Sequence, residues 1–342
     1  MRTSFRVLTV TNMYPTPTDP VHGVFVASQV QSLERAGATV LVEVIDGRRT
    51  KFDYLDGVRR VRRLAATGRF DVVHAHYGLT GFVSSFQDLP LVVSFCGDDL
   101  NGTSDGRGGI TLKSRVARRL GYWAAMRADS IICKSERLRL ALPRRVDRAR
   151  AHVIANGVDL TKFAPGNRAL ARHKLGLPPD ELLILFPHSV RQRNVKRFDL
   201  AEAAVDLLHV QWAPVRLWIV NGVSQGMMPD YYRAADCLLL TSDSEGSPNV
   251  VKEALCCDLP VVSVDVGDVR FWMDLAPGCR LVSREPTDIA EGLRMVLEER
   301  ARIDASSVRA QIGEDQIARR ILGVYEEATR GARDNASVGE SR

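Results

Sequence analysis

The 342-residue sequence predicts an α/β protein with parallel sheets in two domains. Short β-rich apolar runs alternate with longer helical patterns from end to end. The runs are apolar throughout, which is how strands read when helices cover both faces of a parallel sheet. At roughly 150 residues per domain the length gives about two domains. Midway, residues 155–167, A-N-G-V-D-L-T-K-F-A-P-G-N, carry the Gly, Asp, Asn and Pro punctuation of a crossing between units. Two Rossmann-like domains follow, facing each other across a cleft; the carboxyl ends of their strands are the expected ligand site.

In chain order, the first domain, residues 1–160, takes strands at 5–11, 39–45, 72–75, 91–95, 130–134 and 152–155, rich in Val, Ile, Leu, Phe or Thr. Helical spacing of apolar residues marks 24–36 and 113–127. The second domain, residues 161–307, takes strands at 182–187, 215–220, 237–241, 260–264 and 280–282, with helices at 200–208, 229–235, 249–256 and 286–299. Residues 308–330, helical in pattern over 308–328, are expected to pack back on the first domain. Residues 331–342 lack an apolar anchor and are expected as a disordered tail.

Hydrophobic residues at 45% and charged residues at 26% exclude a mainly disordered, collagenous or coiled-coil chain. The six cysteines show no C-x-x-C and no zinc spacing, and read as reduced thiols in a cytosolic core. The opening apolar run stops at Asn12, too soon for a signal segment, and no run of membrane-spanning length follows; the expectation is a soluble cytoplasmic protein.

Charge is unevenly spread. Residues 1–165 hold 25 Lys and Arg against 15 Asp and Glu, a net of +10, whereas residues 166–342 hold 22 against 26. The basic runs R-R-V-R-R at 59–63 and R-V-A-R-R at 115–119 lack interleaved stacking aromatics, and no nucleic-acid-binding motif accompanies them. Nucleic acid is therefore not an expected partner. A peripheral membrane contact or an anionic acceptor is the better use of this charge, set against the plain alternative of solvated helix faces.

The stretch richest in chemistry is S-D-S-E-G-S-P-N-V-V-K-E-A-L, residues 242–255, after the strand C-L-L-L-T. Ser247 reads as a helix cap and Pro248 as the first helical residue, where a missing N–H is no loss. Gly246 permits close approach of backbone to ligand. The N–H groups of Asn249 and Val250 then face the same loop, an arrangement that binds phosphate. Glu253 sits on an otherwise apolar helix. A buried carboxylate there needs hydrogen-bond donors, and paired sugar or ribose hydroxyls supply them. Glu245, in the loop, suits a second ring. The alternative is that both are ordinary loop and surface acids.

E-G-S-P-N-V-V-K-E resembles the glutamate, seven residues, glutamate motif of the retaining glycosyltransferases of family 4 (glycosyl transferases group 1), which have the GT-B fold of two facing Rossmann-like domains. Further segments match in the family's order: T-N-M-Y-P-T-P-T-D-P-V-H-G-V-F-V (11–26), D-V-V-H-A-H-Y-G (71–78), V-V-S-F-C-G-D-D (92–99), A-N-G-V-D (155–159) and A-A-D-C-L-L-L-T-S (234–242). The resemblance spans residues 5 to about 328.

It implies that Glu253 holds the nucleotide ribose and Glu245 the donor sugar, with the backbone from Gly246 through Ser247, Pro248 and Asn249 to Val250 near sugar and phosphate. Gly23 resembles the glycine that approaches the donor diphosphate; as a residue by itself it equally suits a plain turn. Lys196 matches the lysine of a basic pair on the diphosphate. The arginine of that pair would fall on Ser189 or Val190, so Arg191 or Arg193 must substitute. Cys96 stands where many relatives have a histidine, which leaves Asp98 or Asp99 to touch the sugar or acceptor hydroxyl, unless both only cap a turn.

His74 and His76, two apart at a strand end, are read as pointing to opposite faces, one structural and one toward the cleft, too few ligands for a metal. No divalent metal and no cofactor beyond the nucleotide sugar are expected. The implied reaction is retaining transfer of a sugar from a nucleotide diphosphate donor, UDP first and GDP next, to a glycan, lipid-linked or small-molecule acceptor. A nucleotide-sugar epimerase and a catalytically impaired sugar-nucleotide-binding protein stay open. A nicotinamide dehydrogenase is disfavoured because the first strand leads to N-M-Y-P in place of G-x-G-x-x-G.

Overall fold

The computed structural model describes residues 4–47, 52–102, 109–188 and 193–339, with backbone only at 193–194 and 332–339. The chain divides into two compact units: Met1–Gly157 with Glu314–Arg342, and Val158–Gly313.

The first unit runs β1 (Arg6–Thr11), α1 (Val24–Arg35), β2 (Thr39–Val44), α2 (Asp53–Ala65), β3 (Val72–His76), α3 (Gly78–Ser84), β4 (Leu91–Phe95), α4 (Asp98–Asn101), α5 (Leu112–Arg127), β5 (Ser130–Cys133), α6 (Glu136–Leu140) and β6 (Ala151–Val153). Its sheet has the order β2-β1-β3-β4-β5-β6, and every pairing is parallel. The sheet winds outward in both directions from β1 and β3, so their carboxyl ends flank the point where a doubly wound sheet opens a crevice. Leu8, Val10, Val73, Ala75, Val93, Phe95 and Ile131 are wholly buried, as an all-parallel sheet covered on both faces requires.

The second unit runs α7 (Arg168–Lys174), β7 (Leu183–Pro187), α8 (Arg193–Lys196), α9 (Phe198–Gln211), β8 (Arg216–Val220), α10 (Met228–Ala234), β9 (Cys237–Leu240), α11 (Asn249–Cys256), β10 (Val261–Val264), α12 (Val269–Asp274), β11 (Arg280–Val282), α13 (Pro286–Glu299) and α14 (Ser306–Ile312). Its five parallel strands lie in the order β11-β10-β9-β7-β8, and here winding reverses between β7 and β9.

The unit boundaries differ from the expected 160/161 and 307/308. Val158 belongs to the second unit, where it pairs with Gly313 and donates its N–H to Ile312 at 2.9 Å. Gly157 belongs to the first, where a Cβ would come within 2.8 Å of Glu314 Cα. The helical pattern expected as one element over 308–328 is two: α14 packs on α11 in the second unit, and Gly313, extended at ψ 137°, breaks the run before α15 (Glu314–Gly339). α15 then packs in the first unit against α1, β4 and β5. It buries Ile317, Ile321, Val324 and Tyr325, worth roughly 1.5–3 kcal/mol each. Arg35 reaches Glu314 at 2.7 Å to close its start.

Of the tail expected as disordered, residues 331–339 continue the backbone of α15, and 340–342 lie outside the described residues. Once the packed turns have nucleated a helix, further turns need only backbone bonds, and residues 332–338 hold neither Pro nor Gly to stop them.

His74 and His76 do not point to opposite faces. Successive strand residues alternate, so residues two apart share a face. Their rings lie 4.3 Å apart, both wholly buried. No helix among the described residues is long and apolar enough to cross a membrane. All six cysteines are free.

Candidate functional site

In the second unit the winding reversal brings together the loop after β9 and the turn after β7. The Thr241 hydroxyl donates to the carbonyl oxygen of Lys196 at 2.7 Å, and the Asp243 N–H donates to that of Val195 at 2.9 Å. These bonds carry Lys196 to Glu245, and Lys196 Nζ lies 2.6 Å from Glu245 Oε1. The Ser242 hydroxyl donates to the same oxygen at 2.9 Å. Two residues singled out separately in the sequence thus meet where a parallel sheet takes its ligands. Of the arginines expected beside Lys196, Arg191 lies outside the described residues, and Arg193 opens α8 with only its backbone described.

Glu253 lies in the second turn of α11 and is nearly buried. The Tyr232 hydroxyl, brought by α10, donates to Glu253 Oε2 at 2.8 Å. Burial pushes the Glu253 carboxyl above its usual range, opposed by hydrogen bonds from Tyr232 and Gln225 and by the charge of Lys252. The Tyr232 phenol is raised well above normal, first by burial and then by Glu253.

The start of α11 departs from the expectation. Pro248 occupies the capping position, the helix begins at Asn249, and no side chain caps it. Ser247 is engaged elsewhere. Its hydroxyl donates to Asp268 Oδ2 at 2.8 Å and accepts from Lys252 Nζ at 2.6 Å; Trp272 Nε1 donates to the same Asp268 oxygen at 2.7 Å. Lys252 is wholly buried, and burial lowers its pKa against the pull of Asp268 and Glu253.

Gly267, at φ +57°, completes the arrangement: a Cβ there would lie 3.0 Å from the Gly246 carbonyl oxygen and 3.2 Å from that of Glu245. Only a glycine lets the loop after β10 pack so closely on the glutamate loop. Tyr232, Lys252, Gly267 and Asp268 were missed in the sequence. A lysine on an apolar helix and a Gly-Asp pair straight after a strand were the available signals.

In the first unit Gly23 caps α1 at φ +75°, and a Cβ would lie 2.3 Å from the Met13 carbonyl carbon. The close approach that this glycine permits is to its own chain. Asp98 is exposed as the first residue of α4, at the carboxyl end of β4. Asp99 turns inward and accepts the N–H groups of Gly97 at 2.8 Å and of Cys96 and Gly78 at 3.1 Å. Burial nonetheless raises its carboxyl to about 6. Burial pushes the Cys96 thiol up to about 12, so no thiolate nucleophile stands there.

His74 bonds Tyr325 at 2.6 Å and Ser94 at 2.8 Å, and His76 bonds Gln29 at 3.2 Å. Burial, with Lys134 nearby, lowers His74 to about 3. Both histidines are neutral structural groups, and neither is the open one expected.

Comparison with known proteins now bears on this geometry. A glycosyl transferase 4-like domain matches residues 2–157, and a glycosyl transferases group 1 domain matches residues 216–299. The D-inositol 3-phosphate glycosyltransferase 1 of Catenulispora acidiphila is 28% identical over 323 residues, covering 79% of this chain and 75% of its own length. The D-inositol 3-phosphate glycosyltransferase of Xylanimonas cellulosilytica is 29% identical over 321 residues, covering 80% and 76%. Among solved structures, the sucrose-phosphate synthase of Thermosynechococcus elongatus superposes with a TM-score of 0.77 at 18% identity, over 95% of this chain and 100% of that one. Anabaena Alr3699/HepE in complex with UDP-glucose gives 0.69 at 16% identity, over 94% and 99%.

Proposed function

Because the chain belongs to the family-4, group 1 glycosyltransferases of GT-B fold, we propose that it moves a sugar from a UDP-sugar to an acceptor hydroxyl with retention at the anomeric carbon. GDP is the second choice of nucleotide. The observation that carries the reading is the 2.6 Å meeting of Lys196 and Glu245 at the winding reversal, with Glu253, on the helix that follows the same loop, held by Tyr232.

On this reading the second unit takes the donor. Glu253, nearly buried, accepts hydrogen bonds from the ribose hydroxyls, which replace the water lost on burial. Glu245 accepts from the donor sugar, and the backbone from Gly246 to Val250 lies along sugar and phosphate. Lys196 exchanges Glu245 for the diphosphate, joined by Arg191 or Arg193. A cation there stabilises the charge that develops on the leaving group.

The first unit takes the acceptor, with Asp98 toward its hydroxyl. The acceptor oxygen bonds the anomeric carbon as the carbon–phosphate-oxygen bond breaks on the same face. The acceptor's proton passes to the departing phosphate. The protonated thiol of Cys96 and the buried neutral histidines support a route without an enzymic nucleophile. No divalent metal takes part.

The relatives' names make an inositol phosphate the first acceptor to try, and the structural neighbour holding UDP-glucose makes that the first donor. The enzyme serves cell-surface glycan or glycoconjugate synthesis on the cytoplasmic side, with its basic first unit meeting an anionic membrane surface.

A thermal-shift screen of UDP, GDP and their sugars tests the donor, since a ligand at a hundred times its Kd adds about 2.7 kcal/mol. A shift with GDP alone moves the reading to guanosine, and no shift with any nucleotide sinks it. Proton NMR of the first-formed product reads the anomeric configuration, and inversion would overturn retention.

A further inference from the structure

We propose that α5 is the element that seats the first unit on an anionic lipid bilayer. The proposal deepens the membrane contact stated above and rests on it. An ordinary surface helix turns its apolar residues inward and its polar residues to water. α5 does the reverse with its large side chains.

Its buried positions are Ser114, Gly121, Ala124 and Ala125. These small residues let α3 approach: a Cβ on Gly78 would lie 2.9 Å from Gly121 Cα, and one on Gly81 would lie 3.0 Å from Ala124 Cβ. Outward stand Leu112, Val116, Trp123 and Met126, which are 76%, 52%, 44% and 42% exposed. At 3.6 residues per turn these four fall within an arc of about 80°, with Arg119 inside it and Arg115 and Arg127 on its two edges.

Charge selects the occupant. α5 carries Lys113, Arg115, Arg118, Arg119 and Arg127 and no acidic residue. Among the described residues none of the five is ion-paired. A second copy of this face would bring like charges together, which disfavours self-association. Anionic headgroups instead attract each cation, while the aliphatic side chains and the indole enter the interfacial layer and the arginines extend toward the phosphates.

The test is co-sedimentation of the full chain with vesicles of phosphatidylcholine alone and of phosphatidylcholine mixed with phosphatidylglycerol. The wild-type chain should bind the mixed vesicles, release them at high salt and leave the neutral ones. Arg115→Gln with Arg119→Gln should weaken binding on the order of tenfold or more. Leu112→Ser with Trp123→Ser should do the same at the low salt where the wild type binds. All four residues are exposed, so melting temperature and the thermal shift with donor nucleotide should stay as in the wild type.

Arg62→Gln with Arg63→Gln on α2 serves as the control. Equal loss from that pair would mean diffuse charge is responsible and would overturn the role of α5. Binding unaffected by the α5 variants would overturn it too, leaving the membrane reading intact, whereas no wild-type binding would end both. A wild-type dimer that the α5 variants separate, with no vesicle binding, would give the face to a second copy and overturn the proposal. The donor reading is judged separately, by the nucleotide screen.

Discussion

The ammonium group of Lys252, wholly buried on α11, donates to the Ser247 hydroxyl at 2.6 Å, and that hydroxyl donates onward to Asp268 at 2.8 Å. This chain ties the glutamate loop to the loop after β10. Lys252→Met takes the donor from the Ser247 hydroxyl oxygen and the nearby positive charge from Asp268 in a dry site, and should cost about 1–3 kcal/mol by urea unfolding. The donor KM should rise with it. A variant as stable as the wild type would show that the chain is not under load.

Lys196 and Glu245 hold each other at 2.6 Å. Lys196→Ala should lower kcat/KM at least tenfold, roughly 1.4 kcal/mol or more, because a cation is lost from the developing charge. In the double variant with Glu245→Ala the losses should not add, since the residues touch. Full activity in Lys196→Ala would contradict its role at the diphosphate.

Glu253 and Tyr232 separate binding from orientation. On the proposed reading Glu253→Ala removes the acceptor for the ribose, and it should cost at least tenfold in kcat/KM, about 1.4 kcal/mol or more. Tyr232→Phe removes one hydrogen bond to Glu253, and should cost about 1 kcal/mol, roughly fivefold. Steady-state kinetics with a fixed acceptor rank the two, and the reverse order would remove Glu253 from the donor.

Two buried groups of the first unit give stability opposite pH slopes. The Asp99 carboxyl is raised from 3.8 to about 6, so between those values the native state holds the proton that the unfolded chain releases. Its contribution falls as pH rises through that window and is constant above it. The scale is on the order of 2–3 kcal/mol. His74 is lowered from 6.5 to about 3, so here the unfolded chain takes up the proton first, and stability is lost as pH falls from about 6.5. Compared with the wild type, Asp99→Asn should be relatively more stable at neutral pH than in acid, and His74→Gln relatively more stable in acid. Parallel pH profiles for all three would refute both assignments.

If cationic side chains serve the leaving group as proposed, transfer should proceed unchanged in the presence of a chelator. A rate abolished by EDTA and restored by a divalent ion would place a metal on the diphosphate.

The alternation of apolar strands and helices, the crossing near Gly157 and the pair Glu245 and Glu253 were legible in the sequence. Each depends on residues close along the chain, where period and turn chemistry act directly. The partners of those residues were not legible. Lys196 stands 49 positions from Glu245, and Tyr232 stands 21 from Glu253; sheet order alone brings them together.

Ser247 has the local chemistry of a cap, yet its hydroxyl serves Lys252 and Asp268, because a buried charge demands the bond more strongly than a helix start does. The shared face of His74 and His76 is a local property that strand period dictates. What closes around them, Tyr325 from α15 and Gln29 from α1, depends on which helices cover the sheet. Local sequence therefore determined which elements form and which carry the acids. Tertiary packing decided where each side chain spends its hydrogen bonds, since in a dry interior donors and acceptors must pair with whatever the fold delivers.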